Sequence, residues 1–136
     1  MNINYKAFPV GPLQCNCTVV GNTETGKGYI IDPGGDPEMI MQTVDEMNLS
    51  IEAIYHTHAH FDHFLASAEI KEKTGAPIFL NEADRFLWDS LEMQCNYFNI
   101  DFKPTPPPDF NIEDQQDLER CSGVCLLTPG HTPGSV

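Results

Sequence analysis

Hydrophobic residues occur along the chain in two spacings, one typical of strands and the other of helices. Runs rich in β-branched and aromatic residues predict strands at 3–10, 14–20, 28–32, 51–55 and 78–80. Ile40, Val44 and Met47 recur at helical spacing, and the preceding Asp36-Pro37 predicts a helix start with Asp36 as the N-cap. Further helices are predicted at 64–74 and 81–90, where Phe86, Leu87 and Trp88 are interpreted as packing residues.

The order of these elements favours an α/β fold. A turn-rich stretch at 22–27 predicts a hairpin, and the helix between strands 28–32 and 51–55 predicts a β-α-β unit. From Glu92 the helical spacing is lost, and the proline-rich residues 103–109 predict a surface connection. A β pair is predicted at 117–120 and 123–128.

Histidines are concentrated directly after strand 51–55, where catalytic loops of β-α-β units collect. His58 and His60 alternate with Ala59, so in an extended segment both rings point the same way and can hold one metal ion. Asp62 and His63 would begin the next helix and face the same cavity from another direction. A site for two ions, which could activate a shared water, is therefore an option.

Other interpretations of this region stay open. The histidines could be a solvated strand end or a fortuitous metal trap, although the strand and the amphipathic segment around them favour a site. His56 lies outside the pattern and is expected to pack or to support a ligand rather than bind metal. The turn Asp32-Pro33-Gly34-Gly35 is either an ordinary turn or a close approach of backbone to the metal centre.

Composition narrows the class of protein. The chain has 136 residues, enough for one domain, with 40% hydrophobic residues. Seven Lys and Arg residues against 20 Asp and Glu residues give a net charge of -13, which argues against a nucleic-acid partner. No stretch has membrane-spanning length and no signal peptide is recognisable, so a cytoplasmic protein is predicted. The five cysteines are therefore expected to be reduced thiols, mostly buried in strands.

Two motifs together resemble the metallo-β-lactamase superfamily, and in detail its glyoxalase II-like (hydroxyacylglutathione hydrolase-like) branch. They are the H-x-H-x-D-H pattern at 58–63 and P-G-H-T-P-G-S at 129–135, which contains His131. The resemblance implies an αββα sandwich, of which this chain would supply the first half. It also implies that His58, His60 and His131 hold one ion, and that Asp62 and His63 help to hold a second.

The implied activity is that of a zinc-dependent hydrolase acting on a small molecule, most specifically a thioester. A metal-activated hydroxide would attack the acyl carbonyl, and Asp62 would bind the second ion and orient the water. A persulfide dioxygenase-like enzyme with one iron is the first alternative, and a lactone hydrolase is another. Iron or manganese could replace zinc, because histidine and carboxylate suit several metals.

The resemblance also implies residues that this sequence lacks. The family continues past the position of His131 to a bridging aspartate and a last histidine, so we expect residues 1–136 to be a single domain that is incomplete at its C-terminus. Such a chain could self-associate through an uncovered sheet face. The competing hypothesis is an inactive or weakly metal-binding module that needs another chain to complete its fold.

Overall fold

The computed structural model describes residues 2–118 and 123–136. Its strands are β1 Ile3–Val10, β2 Cys15–Asn22, β3 Lys27–Ile31, β4 Ser50–Tyr55, β5 Ile78–Leu80, β6 Phe110–Asn111, β7 Asp117–Leu118 and β8 Gly123–Val124. Its helices are α1 Pro37–Glu46, α2 Ser67–Thr74, α3 Arg85–Trp88 and α4 Leu91–Tyr97, with short 3-10 turns at Phe61–His63 and Glu82–Asp84.

Six strands form one mixed sheet in the order β1-β2-β3-β4-β5-β6. The first two pairings are antiparallel, which confirms the predicted hairpin between β2 and β3. The next three pairings are parallel, and α1 connects β3 to β4, which confirms the β-α-β unit. The carboxyl ends of β3 and β4 therefore lie side by side, so the turn at 32–35 after β3 lies next to the histidine-rich loop after β4.

The two faces of this sheet differ in how they are covered. One face packs against the helices in a buried cluster that includes Ile30 and Ile54 from the sheet, Ile40 from α1 and Ile70 from α2. The other face carries a smaller cluster of Ala53, Tyr55, Phe79, Ile112 and Cys125, next to the β7-β8 pair. Along the same face Tyr5 is 66% exposed and Phe110 is 51% exposed.

Several predicted boundaries were wrong. The helix predicted from residue 64 begins at Ser67, because the backbone breaks at Phe64, where φ is -142° and the ring is buried in the core. Asp62 and His63 consequently lie in the 3-10 turn rather than in a helix. Asp36 stands at the start of α1 with φ of +50°, but its carboxylate accepts from the Gly11 N–H at 2.9 Å instead of capping the helix.

The region after residue 81 also differs from prediction. The helix predicted at 81–90 is a 3-10 turn followed by the four residues of α3, and α4 lies where no helix was predicted. Only Leu91 and Cys95 of α4 are buried, so its hydrophobic spacing is too weak to recognise. In the predicted β pair, residues 119–120 lie outside the described residues, and the second strand ends at Val124 instead of continuing to 128.

Candidate metal centre

Three of the predicted site residues converge on one point. His58 and His60 follow β4, and His131 comes from the loop near residue 130. The ring centroids are 4.9 Å apart for His58 and His60, 4.7 Å for His58 and His131, and 4.6 Å for His60 and His131. Each ring offers one nitrogen, and the three nitrogens lie within 4.8 Å of one another. The spacing is that of ligands around a single ion with an open position.

A polar chain behind His58 fixes which of its ring nitrogens is free. The Thr57 hydroxyl donates to Asp32 Oδ2 at 2.6 Å, so its oxygen can accept from His58 Nδ1–H at 2.9 Å. Nε2 of His58 then carries the lone pair. This atom is buried, and among residues 2–118 and 123–136 no hydrogen-bond partner faces it. An orphaned, buried nitrogen aimed at two other histidines fits a divalent cation.

Asp62 and His63 form a second cluster beside the first. His63 Nδ1 donates to Asp32 Oδ2 at 3.0 Å, and His63 Nε2 lies 3.4 Å from Asp62 Oδ2. The centroids of the His63 and His58 rings are 4.1 Å apart. Cys15 completes the cluster, because its Sγ lies within 4.8 Å of a ligand atom of both Asp62 and His63. Cys15 was predicted only as a strand cysteine.

The turn after β3 contributes directly to the site. Asp32 is 3% exposed, with φ of +54°, and its Oδ1 accepts from the Thr57 N–H at 2.8 Å. A Cβ on Gly34 would collide with the carbonyl oxygen of Asp62 and with Cys15 Sγ, so only glycine allows this approach. The structure therefore favours the close-approach interpretation of this turn. Sequence reasoning identified the turn but did not single out Asp32.

Asp84 is a second residue that sequence reasoning missed. It is fully buried, and its carboxylate accepts from Ala59 N–H at 3.0 Å, from the Thr132 hydroxyl at 2.7 Å and from Gly134 N–H at 2.7 Å. Ala59 lies between His58 and His60 in the sequence, and Thr132 and Gly134 follow His131. Asp84 thus ties together the two segments that carry the three histidines.

Gln94 supports the same loop from α4. Its Oε1 accepts from Phe61 N–H at 2.9 Å, and its Nε2 donates to the carbonyls of Ala59 and Leu87. No local pattern in the sequence signals such residues, because the partners of Asp84 and Gln94 are mainly backbone groups that are distant along the chain.

His56 lies apart from the cluster, as predicted. Its Nδ1 donates to the Phe79 carbonyl at 3.0 Å, and its Nε2 lies 2.7 Å from Ser67 Oγ. The ring is buried and meets the stacked Phe64 and Trp88 rings edge-on. Burial lowers its pKa, so the ring is a neutral packing residue at physiological pH.

The surroundings of His58 and His60 favour the neutral form of both rings. Burial, together with the nearby His63 ring, lowers the pKa of His58 to about 4. Burial and the facing His131 ring lower the pKa of His60. Burial would also lower the pKa of His63, but the hydrogen bond to Asp32 and the charges of Asp32 and Asp62 outweigh it and raise that pKa. Neutral rings are the form that binds metal.

The sequence can now be placed among known proteins. The family model described as "Metallo-beta-lactamase superfamily" matches residues 10–136. The chain belongs to this superfamily. The match confirms the resemblance predicted from the two motifs.

Individual relatives agree with this assignment. The chain is 33% identical to the hydroxyacylglutathione hydrolase GloC of Haemophilus influenzae, over 98% of this chain and 65% of that protein. It is 34% identical to the probable metallo-hydrolase YqgX of Bacillus subtilis, over 98% of this chain and 64% of that one. The chain therefore spans slightly less than two thirds of the length of these relatives.

Solved structures of superfamily members share the fold. The B3 metallo-beta-lactamase BLEG-1 superposes with a TM-score of 0.85 at 29% identity, covering 97% of this chain and 65% of that one. The protein TTHA1623, solved in a di-iron-bound form, gives 0.84 at 31% identity, covering 96% and 64%. The predicted fold class, the first half of the αββα sandwich, is confirmed.

Among the described residues, no helix has the length and apolar character needed to cross a membrane.

Proposed function

We propose that residues 1–136, as a single superfamily domain, belong to a metal-dependent hydrolase. Its substrate would be a small-molecule thioester, as in hydroxyacylglutathione hydrolases. The observation that carries the proposal is the buried Nε2 of His58, which has no hydrogen-bond partner within the described part of the chain and faces His60 and His131. The likeness to GloC supports the thioesterase assignment. The net charge of -13 supports a small-molecule substrate over nucleic acid, and we place the protein in the cytoplasm, away from membranes.

The ligands follow from the two clusters. His58, His60 and His131 would hold the first ion, and Asp62 and His63 would contribute to the second, with zinc as the metal and iron or manganese as substitutes. When bound, the metal would polarise the acyl carbonyl and supply a water of lowered pKa.

The protein's own side chains orient the water and hold the metal ligands in position. Asp62 orients the attacking water and receives a proton from it at a carboxylate oxygen. Asp32 holds the His63 ring in place through Nδ1, and through Thr57 it sets the tautomer of His58. Asp84 keeps the loop of His131 against the loop of His58 and His60.

A second candidate is an iron-dependent oxidoreductase of the persulfide dioxygenase type. The di-iron form of TTHA1623, at 31% identity, favours keeping iron in consideration. A metal-binding module without catalysis is the third hypothesis. Metal identity and a substrate panel separate the three.

The test uses the unmodified full-length protein, purified at neutral pH without chelator. We expect zinc by plasma mass spectrometry and hydrolysis of an acyl-glutathione thioester, and His131→Ala should abolish hydrolysis. Pro129→Ala, an exposed change in the same loop, is the matched control and should behave like the unmodified protein.

Each alternative outcome has a defined meaning. If the protein binds iron and consumes oxygen when a persulfide is added, the oxidoreductase proposal is correct and the hydrolase proposal is wrong. A fully metal-loaded protein that hydrolyses no thioester would overturn the thioesterase proposal. Absence of bound metal would overturn the whole proposal.

A further inference from the structure

The second cluster contains a donor, Cys15, that lies outside the two histidine motifs. Asp62 and His63 belong to the H-x-H-x-D-H pattern, whereas Cys15 stands at the start of β2, far away in sequence. One ligand atom of each residue lies within 4.8 Å of the other two. Cys15 is 8% exposed, and Asp62 and His63 are partly exposed, so the three atoms meet at the base of the site.

The approach of Cys15 depends on the glycine turn. Sγ lies 3.0 Å from the backbone carbonyl oxygen of Asp62, to which it donates, and a Cβ on Gly34 would press against the same sulfur. A larger residue at Gly34 would therefore push Cys15 away from the Asp62 loop. Glycine at position 34 therefore leaves the room that the sulfur occupies beside the Asp62 loop.

From this geometry we propose that Cys15 is a ligand of the second metal ion, together with Asp62 and His63. The inference rests on the proposed function, since it requires that the site bind metal. A sulfur, a carboxylate oxygen and an imidazole nitrogen form a mixed donor set that suits zinc, and the thiolate selects against magnesium and calcium. Binding replaces the S–H bond by a sulfur–metal bond and releases the proton to solvent.

Cys17 offers a matched comparison. It lies two residues along the same strand, is fully buried and also faces the helix side of the sheet, but it is not part of the second cluster. A buried cysteine with a purely packing role should therefore behave alike at positions 15 and 17.

The experiment titrates the metal-free protein with Co²⁺, used as the probe for zinc. A thiolate bound to Co²⁺ gives a charge-transfer absorption in the near ultraviolet, whereas histidine and carboxylate ligands do not. We expect this band in the unmodified protein and in Cys17→Ser. Cys15→Ser should lose the band and bind one ion fewer per chain, while the three-histidine site still binds Co²⁺.

The outcomes separate the two proposals. Cobalt binding without the charge-transfer band in the unmodified protein overturns the role of Cys15 and leaves the proposed function standing. A band that persists in Cys15→Ser also overturns it. Failure to bind any Co²⁺ overturns the proposed function itself. Circular dichroism verifies folding, and Cys15→Ala serves as a second variant if Cys15→Ser does not fold.

Discussion

The hydroxyl of Thr57 connects two groups that lie far apart in sequence, the carboxylate of Asp32 and the ring of His58. It donates to Asp32 and accepts from His58 Nδ1, so one atom determines which nitrogen of His58 is available. Such groups behind a metal ligand hold the ring in one orientation and one tautomer.

Replacing Thr57 by valine keeps the shape of the side chain but removes this connection. We expect Thr57→Val to weaken metal binding at the three-histidine site roughly 10- to 100-fold, because His58 loses its fixed tautomer. Thr57→Ser retains the hydroxyl and should bind nearly as tightly as the unmodified protein. Competition with a chromophoric chelator measures both affinities. Equal weakening in the two variants would show that the Thr57 hydroxyl does not set the tautomer of His58.

Asp84 links the two histidine segments through three hydrogen bonds. In Asp84→Asn an amide would face three donors, so at least one buried N–H or O–H loses its acceptor. We expect the free energy of unfolding to fall by about 2–4 kcal/mol. Urea denaturation followed by circular dichroism measures the change.

Asp89→Asn is the matched control for this experiment. Asp89 is exposed and pairs with Arg85 one helical turn away, so its replacement should cost less than about 0.5 kcal/mol. If Asp84→Asn were as mild as Asp89→Asn, Asp84 would not be holding the two segments together.

At this scale the sequence predicted the residues whose spacing is itself the signal. His58, His60, Asp62 and His63 are recognisable because alternation and the short turn place them together, and their convergence with His131 followed from the resemblance. Asp32, Asp84 and Gln94 were missed as site residues because the fold, rather than the local pattern, brings their partners to them.

At the scale of elements, prediction succeeded where a run of strand-forming residues or a helix-start signal marks the segment. β1, β5 and the start of α1 lie at the predicted positions, since each buries or pairs a regular set of residues. α4 was missed because it buries only two residues, and the start of α2 was misplaced because Phe64 enters the core through a backbone break. Tertiary contacts, which no local pattern records, decide both cases.

Asp109 joins three elements at the edge of the sheet. Its carboxylate accepts from the N–H of Ile78 at 2.8 Å and from Lys71 Nζ at 2.7 Å, while its own N–H donates to the Ile78 carbonyl. Burial would raise its pKa, but the Ile78 N–H and Lys71 outweigh this and hold the pKa below the ordinary 3.8. The ionised form is therefore favoured in the folded protein.

The stabilisation from Asp109 should depend on pH in a defined direction. A lowered pKa contributes stability that is fully present above the pKa of the unfolded chain and is lost as the pH falls through the folded value. We expect Asp109→Asn to lower the free energy of unfolding by about 1 kcal/mol at neutral pH, discounted because the carboxylate is partly exposed. The two proteins should converge as the pH falls below the ordinary aspartate pKa, and should be equally stable only below the lower pKa of the folded protein.

Urea denaturation at a series of pH values measures this convergence. Asp101→Asn, in the exposed loop before the proline run, is the control and should change stability little at any pH. A difference between Asp109→Asn and the unmodified protein that stays constant with pH would show that the charge of Asp109 contributes nothing.

At the scale of the whole molecule, two properties act against each other. Tyr5, 66% exposed, and Phe110, 51% exposed, lie on the sheet face opposite the helices, and Ile3 on the same face is 38% exposed. Apolar surface of this kind favours association with a second copy. The net charge of -13 opposes association, because two copies repel each other.

We expect any self-association through this face to depend on salt. Added salt screens the repulsion while leaving the apolar contact in place, so the average mass in analytical ultracentrifugation should rise with ionic strength and with protein concentration. The double change Tyr5→Lys and Phe110→Lys should abolish the rise, since it places charge on the contacting face. Met93→Lys with Tyr97→Lys is the matched control, because these residues are 71% and 82% exposed on α4, which packs on the helix side. If the control variant also fails to associate, the loss of association reflects the added positive charge rather than this face. If the unmodified protein keeps the mass of a single chain throughout, the exposed face does not drive self-association.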